Sequence, residues 1–346
     1  MSPHAGSITQ LVRKVFHLDI NANESKLVAA FAYGSGVINQ GDSISQPDNS
    51  QLDIILVVDN NKAWHDFNQK TNPDHYSSQF MKVNEKIEKG HKFLRNVSMY
   101  FSTFNPVPRE IGVNNQFYKY GVIDSKKAID DLSHWRYLYL AGRLHKPVLW
   151  LKRPDEKFYQ SYKDNLRSAI IFALLNPKFG EKGGRFRVEE IYLEIASISY
   201  TGDWRTMVGE GQDKIKKLVS KERVKLFNDL YREVLMEDPL KSLLKFDQNE
   251  EFFEIKPLDT DEQVVLVKLL PSYLFDKIGR DHFVEGIKEK TCDLARINQL
   301  LIKSSSEIVY ASSLDQTILA LLTTEAHKIV KYVWAKLSKI IATKMS

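Results

Sequence analysis

Cysteine is almost missing from this chain of 346 residues: Cys292 is the only one. That excludes an internal disulfide and any cysteine-rich metal site, and a reducing compartment fits best. Long apolar runs are missing as well. No stretch of about 18 apolar residues occurs, so no transmembrane helix is expected. The longest candidates, Ala169–Leu175 and Val264–Leu270, are short or interrupted by charge. There is no internal repeat and no low-complexity tract. Acidic residues are absent from the first 18 positions, MSPHAGSITQLVRKVFHL, which carry Arg13, Lys14 and two histidines. Such a start reads equally as an organelle transit segment, or its remnant, and as a flexible basic leader.

What is present is the composition of a globular protein, with 43% hydrophobic and 27% charged residues. The length allows one large domain or two moderate ones. Lys and Arg outnumber Asp and Glu by 49 to 44, a formal charge of +5. That suits an anionic substrate or an anionic membrane surface without demanding either.

The first half mixes strand and helix signals. Val28–Tyr33 and the β-branched run Leu52–Val58 read as strands, as do Val97–Phe101, Tyr118–Ile123 and Val148–Leu151. Ala63–Leu94 reads as helical with a break at Asn72-Pro73. Ser125–Leu144 reads as one helix, with Leu132, Trp135, Leu138, Tyr139 and Gly142 at helical spacing. After the polar stretch KRPDEKFYQSY the character changes. Asp164–Leu175, Val188–Tyr200, Lys221–Met236 and Asp261–Leu270 read as helices, with few strand signals between them. Near the end, Ser313-Leu314-Asp315-Gln316 has capping-box form. An apolar stripe runs on from Leu314 to Ile340, and five lysines with no acid lie beyond Ala326. This tail reads either as an interfacial helix on anionic lipid or as an ordinary core helix.

One stretch carries chemistry: Tyr33-Gly34-Ser35-Gly36 ends an apolar run, and Asp53 opens the most apolar strand. A glycine turn lets backbone N–H groups approach phosphate oxygens, and a serine hydroxyl adds a donor. A carboxylate on the next strand can hold Mg²⁺ against the same phosphates. A plain strand-to-helix turn and a turn-capping carboxylate are the structural alternatives. Two positions after Asp53 stands Ile55, not a second acid. Asp59, six residues on, lies roughly 20 Å away along a straight strand and reads as the strand's end and a cap for the next segment.

The segments FAYGSG, LDIILVVDN, AWHDFNQKTNPDHYS, YKYGVI, LYLAGRLHKPV and SYTGDWRTMVGE occur in this order. Together, from Phe31 to Gly209, they resemble the mitochondrial translocator assembly and maintenance family of phosphatidate cytidylyltransferases, within the nucleotidyltransferase superfamily. The resemblance implies an α+β fold in three parts. Residues 1–155 would form a nucleotidyltransferase-type mixed sheet with flanking helices, 156–310 a helix-rich domain, and 311–346 an amphipathic membrane helix. It implies CTP and phosphatidic acid as substrates and Mg²⁺ or another divalent cation as cofactor. It also implies a peripheral site on the matrix side of the mitochondrial inner membrane, supplying cardiolipin synthesis; no nucleic-acid partner is expected.

On that resemblance Tyr33, Gly34, Ser35, Gly36, Tyr120, Lys146 and Arg205 are expected to contact CTP. Asp53 is expected to bind the metal, and Asp53, Lys119, Arg143 and Asp203 to serve catalysis. For each cation a solvated face is the alternative; for Gly202-Asp203 it is helix-end punctuation. Trp64, His65 and His75-Tyr76-Ser77 read either as contacts to cytosine or lipid phosphate or as packing of a helix on the sheet. Lys328, Lys331, Trp334, Lys336 and Lys339 are the expected membrane contacts. A phosphate nucleophile is already ionised near neutral pH, which fits the want of a clear His-Asp pair. Two rivals stand beside this reading: a nucleotidyltransferase acting on a soluble acceptor, and a noncatalytic assembly factor for inner-membrane protein import.

Overall fold

The computed structural model describes residues 3–16, 25–34, 37, 51–77, 99–108, 111, 117–207, 213–276 and 279–323. The fold is mixed α+β, and the chain divides into two compact units. One takes Met1–Ser125, Val148–Pro154 and Asp315–Ser346; the other takes Lys126–Pro147 and Asp155–Leu314.

The first unit is built on strands β1 (Leu27–Tyr33), β2 (Leu52–Val58), β3 (Tyr100–Pro106), β4 (Phe117–Asp124) and β5 (Leu149–Lys152). They form one sheet in the order β3-β4-β2-β1-β5. β2 and β4 run parallel, and the other pairs are antiparallel. β2 is central and buried on both faces, which is why its sequence is continuously apolar instead of alternating. Helix α1 (Pro3–Phe16) lays Ile8, Leu11, Val12 and Val15 on the sheet face made by Ala30, Ala32, Leu52, Ile54, Tyr118 and Tyr120. Their spacing of three and four is that of one helical face. Residues 3–16 of this basic segment therefore form a packed core helix, which corrects its reading as a flexible start.

Helix α2 (Asn61–Thr71) adds Trp64 to the same core. Its N-cap is Asn60, whose side chain accepts from Ala63 N. The expectation that Asp59 would cap this segment is corrected: its carboxylate accepts from Lys26 N at 2.6 Å, fastening the end of β2 to the entry of β1.

Between α2 and β4 lies a buried polar cluster. Tyr76 Oη bonds His65 Nδ1 at 3.0 Å and accepts from Asn68 Nδ2 at 2.7 Å. Asn68 also donates to Tyr120 Oη, which meets His75 Nδ1, and His75 Nε2 meets Tyr118 Oη. Buried polar groups that find partners in this way cost little, whereas orphaned ones cost much.

In the second unit the expected single helix over 125–144 is two, α3 (Ser125–His134) and α4 (Leu140–Leu144). Asp131 causes the break. Its fully buried carboxylate accepts backbone N–H bonds from Tyr137, Leu138, Leu140 and Ala141 at 2.7–3.1 Å. Those bonds compete with the helical ladder, and Trp135 and Leu138 take φ values of 56° and 50°. Burial pushes the Asp131 carboxyl up, and the four N–H donors work against that rise.

Helix α5 (Glu156–Leu174) is capped by Asp155 and buried over most of its circumference. Its Asn165 accepts from Trp135 Nε1, meets His145 Nε2, and donates to Ala141 O. Few strands were expected among these helices, and three short ones occur among the described residues. β6 (Gly184–Arg187), β7 (Leu244–Phe246) and β8 (Phe252–Ile255) form an antiparallel sheet in the order β6-β8-β7. α6 (Val188–Ser197) and α7 (Lys221–Leu235) bring Tyr192, Phe227 and Tyr231 into a ring cluster with Phe253. α8 (Thr260–Leu269) comes next, stopped before Pro271.

The last described helix, α9, runs unbroken from Leu294 to Thr323. Ser313 is inside it, so its capping-box reading is corrected. Gln316 Nε2 donates to Met99 O, and no helix starts at Ser313. Residues 324–346, with all five expected membrane contacts, lie outside the described residues.

Candidate active site

The geometry begins with strand pairing. β1 and β2 pair antiparallel with Tyr33 opposite Asp53. β2 and β4 pair in parallel with Asp53 opposite Lys119. Directly paired residues point to the same face, so Tyr33, Asp53 and Lys119 share one side of the sheet. Their neighbours Leu52, Ile54, Tyr118 and Tyr120 point into the α1 core.

Gly34 leaves β1 with φ +86°, a conformation glycine adopts without strain. A Cβ built there would sit 3.6 Å from Asp53 Oδ2, so the backbone turn lies against the carboxylate. Val37 N donates to Gly34 O at 3.2 Å. Ser35 and Gly36 lie outside the described residues.

On the other side of Asp53, Lys119 Nζ stands 3.9 Å from Oδ1 and 4.4 Å from the Phe101 ring centroid. The two side chains are 26% and 31% exposed, accessible enough to meet a ligand. Gly121, next on this face, has no room for a side chain: a Cβ would meet Met99 Sδ at 2.4 Å and Phe101 at 2.6 Å. Phe101 was not singled out by the sequence. Only the β3–β4 register, Phe101 opposite Gly121, brings it under Lys119.

Tyr120 is a correction. It is fully buried on the core face, its hydroxyl engaged by Asn68 and His75. Strand alternation that turns Lys119 outward turns Tyr120 inward. The alternatives for Trp64 and His65 also resolve toward packing: both are buried, and burial pulls the His65 imidazole down to about 3, keeping it neutral. His75 keeps partial exposure, but both its ring nitrogens meet tyrosine hydroxyls.

The second unit gathers the other expected residues around the ends of α4 and α6. Arg143 donates to Tyr139 O at 2.8 Å and lies 3.9 Å from that ring's centroid. Lys146 Nζ donates to Ser199 Oγ at 2.8 Å and stands 4.9 Å from the Tyr200 ring. Gly142 is what lets these segments touch, since a Cβ would fall 2.2 Å from Ser199 Cβ. Asp203 is buried and holds Arg205 through a fork of side-chain bonds, Nε to Oδ1 at 2.9 Å and Nε to Oδ2 at 3.1 Å, with Nη2 also on Oδ2. Burial opposes the Arg205 charge, but Asp203 and Tyr139 outweigh it and raise the guanidinium's pKa, while Arg143 works against them. Gly202 sets this turn at φ +85°. Arg143 and Arg205 thus lie within electrostatic reach of each other, and cations in such company favour a multiply charged anion.

For a metal, Asp53 offers hard oxygen beside the glycine turn. Among the described residues no three His, Cys, Asp or Glu converge, so no all-protein cage is formed. A single carboxylate completed by phosphate oxygens and water is a usual way of holding Mg²⁺, and Asp53 fits it.

Comparison with known proteins gives a consistent picture. Residues 19–339 match the family model described as phosphatidate cytidylyltransferase, mitochondrial. The protein of that name from Xenopus laevis is 34% identical over 321 residues, covering 90% of each chain. The one from Danio rerio is 33% identical over 336 residues, 93% of each. The one from Schizosaccharomyces pombe is 31% identical over 342 residues, 94% of this chain and 83% of its own.

Proposed function

Because the chain belongs to the mitochondrial phosphatidate cytidylyltransferase family, we propose that it joins CTP to phosphatidic acid, giving CDP-diacylglycerol and pyrophosphate. A phosphate oxygen of the lipid forms a bond to the α-phosphorus of CTP. The bond from that phosphorus to the bridging oxygen breaks, and pyrophosphate leaves with the electron pair. The nucleophile is already ionised, so the protein's work is alignment and charge neutralisation.

The observation that carries this reading is the meeting of Gly34, Asp53 and Lys119 on one accessible sheet face. A glycine turn leaving one strand, with a carboxylate on its neighbour, supports a nucleotidyltransferase-type arrangement. Gly34, with Ser35 and Gly36, would offer N–H and hydroxyl donors to the triphosphate, and Tyr33 would border it. Asp53 would hold Mg²⁺ or a similar divalent cation, which when bound neutralises phosphate charge. Lys119 faces the same phosphates. Arg143, Lys146 and Arg205, with Asp203 orienting the last, supply further positive charge for the anionic substrates.

The proposed setting is the matrix side of the mitochondrial inner membrane, with the product feeding cardiolipin synthesis and no nucleic-acid partner. Two facts support peripheral attachment. No helix among the described residues is long and apolar enough to cross a membrane. The tail beyond Ala326 is lysine-rich and acid-free, with Lys328, Lys331, Trp334, Lys336 and Lys339 as the contacts.

The test is direct: labelled CTP, Mg²⁺ and phosphatidate vesicles are incubated with the protein and with Asp53→Ala, and label is counted in extracted lipid. Label in lipid that disappears in the variant is expected. Label in neither, with CTP still bound, would refute the acceptor assignment. Equal label in both would refute the role of Asp53.

A further inference from the structure

We infer that Asp131, which is not among the expected substrate contacts, is a positioning residue that sets Arg143 and Lys146 for the nucleotide. The inference rests on the functional reading above and extends it to a side chain that touches no substrate.

Over residues 135–141 the chain leaves helix α3, passes through two left-handed residues and enters α4. Non-glycine residues do not hold φ near +50° unless the surroundings over-determine it. Here Asn165 takes the Trp135 Nε1–H, and one carboxylate holds the residues that follow. Oδ1 takes the N–H groups of Tyr137 at 2.7 Å and Leu138 at 2.8 Å; Oδ2 takes those of Leu140 at 2.8 Å and Ala141 at 3.1 Å. Successive N–H groups wrapped on an anion make a nest, with the anion here supplied by the protein itself.

This segment leads into both cations. Arg143 is fastened to Tyr139 twice, by its carbonyl and by its ring, and Tyr139 sits between two of the N–H groups that Asp131 holds. Gly142 and Lys146 then key the segment to Ser199. Asn165 braces it from α5 through Ala141 O and His145. A carboxylate accepts on both oxygens, whereas an amide accepts on one and presents N–H to the other pair. Asp131→Asn therefore sets two donors against donors and loosens the frame of Arg143 and Lys146 while keeping side-chain volume.

The experiment is a double-mutant cycle on the full chain, read as CTP affinity and as the split between KM for CTP and kcat. The variants are Asp131→Asn, Arg143→Ala with Lys146→Ala, and all three together. Thermal unfolding confirms that each is folded. Misplacement of the two cations predicts that Asp131→Asn weakens CTP binding by roughly tenfold or more. If Asp131 acts through the cations, it weakens binding little further once they are gone; additive losses would mean a general structural role and overturn the inference. Unchanged CTP affinity in a folded Asp131→Asn would overturn it as well. Should that variant not fold, Asp131→Glu, which keeps the charge and shifts it by one methylene, runs the same cycle. If instead the cation double variant binds CTP normally, the assignment of Arg143 and Lys146 fails and the inference goes with it, a result distinct from additivity.

Discussion

Replacing Asp53 by asparagine should separate fold from chemistry, because the structure makes opposite forecasts for the two. For stability the relevant contact is Lys119 Nζ at 3.9 Å. Two unit charges at that distance attract by about 1 kcal/mol in water and about 4 kcal/mol at an effective dielectric of 20. The side chains are 31% and 26% exposed, so screening and side-chain entropy push the net value to the low end, under about 1 kcal/mol. Asparagine keeps the shape and one acceptor oxygen. Urea unfolding should thus move by no more than about 1 kcal/mol. For activity the carboxylate is the hard donor beside the glycine turn, and its loss should lower CDP-diacylglycerol formation by at least about 10²- to 10³-fold, the scale for one preorganised electrostatic group. Both are read on one preparation, by denaturation and by label transfer to phosphatidate vesicles. A variant destabilised by about 3 kcal/mol or more but catalytically intact would make Asp53 a turn cap and refute the reasoning.

Other outcomes rest on the same geometry. Gly202→Ala forces a side chain into the left-handed region and 2.3 Å from Ser306 O, so it should cost about 2–5 kcal/mol in unfolding free energy and disturb the Asp203–Arg205 turn. Gly34→Ala meets only an ordinary contact at 3.6 Å, so its stability loss should stay near 1–2 kcal/mol while CTP turnover falls more steeply. His65 and His145 are each drawn down to about 3 by burial. Unfolded histidine takes a proton near 6.5, so stability is full above that pH and declines toward pH 3. Each contributes up to about 1.4 kcal/mol per pH unit, and His145→Gln should remove its share of that slope. Charge reversal at Lys328, Lys331, Lys336 and Lys339 in the full chain should reduce sedimentation with phosphatidate-containing vesicles and leave it unchanged with neutral ones; equal binding would argue against the membrane role of the tail.

The central strand was readable to the residue: Leu52–Val58 is β-branched, doubly buried and bounded by polar loops. So was the neighbourhood of Gly34 and Asp53, since a loop and a strand signal sufficed to bring them close. Three things were not readable. The break after His134 depends on a carboxylate bonding amides up to ten residues on, which leaves no mark on the apolar period. The β6–β8 sheet consists of strands of three or four residues, too short to show alternation. Ser313 and Gln316 have the spacing of a cap, but spacing cannot say whether a helix has already begun; α9 starts at Leu294, and both residues are spent on tertiary bonds. The expected contact at Tyr120 failed for a simpler reason: adjacent residues of a strand cannot serve the same face.

The buried tyrosines of β4 acquire a meaning from that last point. His75 reads Tyr118 and Tyr120 with its two ring nitrogens, and Asn68 reads Tyr120 again. Slide β4 by one residue and a lysine would enter the α1 core while both phenols lost their partners. Slide it by two and Gly121 would stand where Lys119 now faces Asp53. The polar lattice under the sheet is in effect a combination lock for strand alignment. Its tumblers never see a substrate, yet only one setting puts a cation beside the carboxylate on the far side.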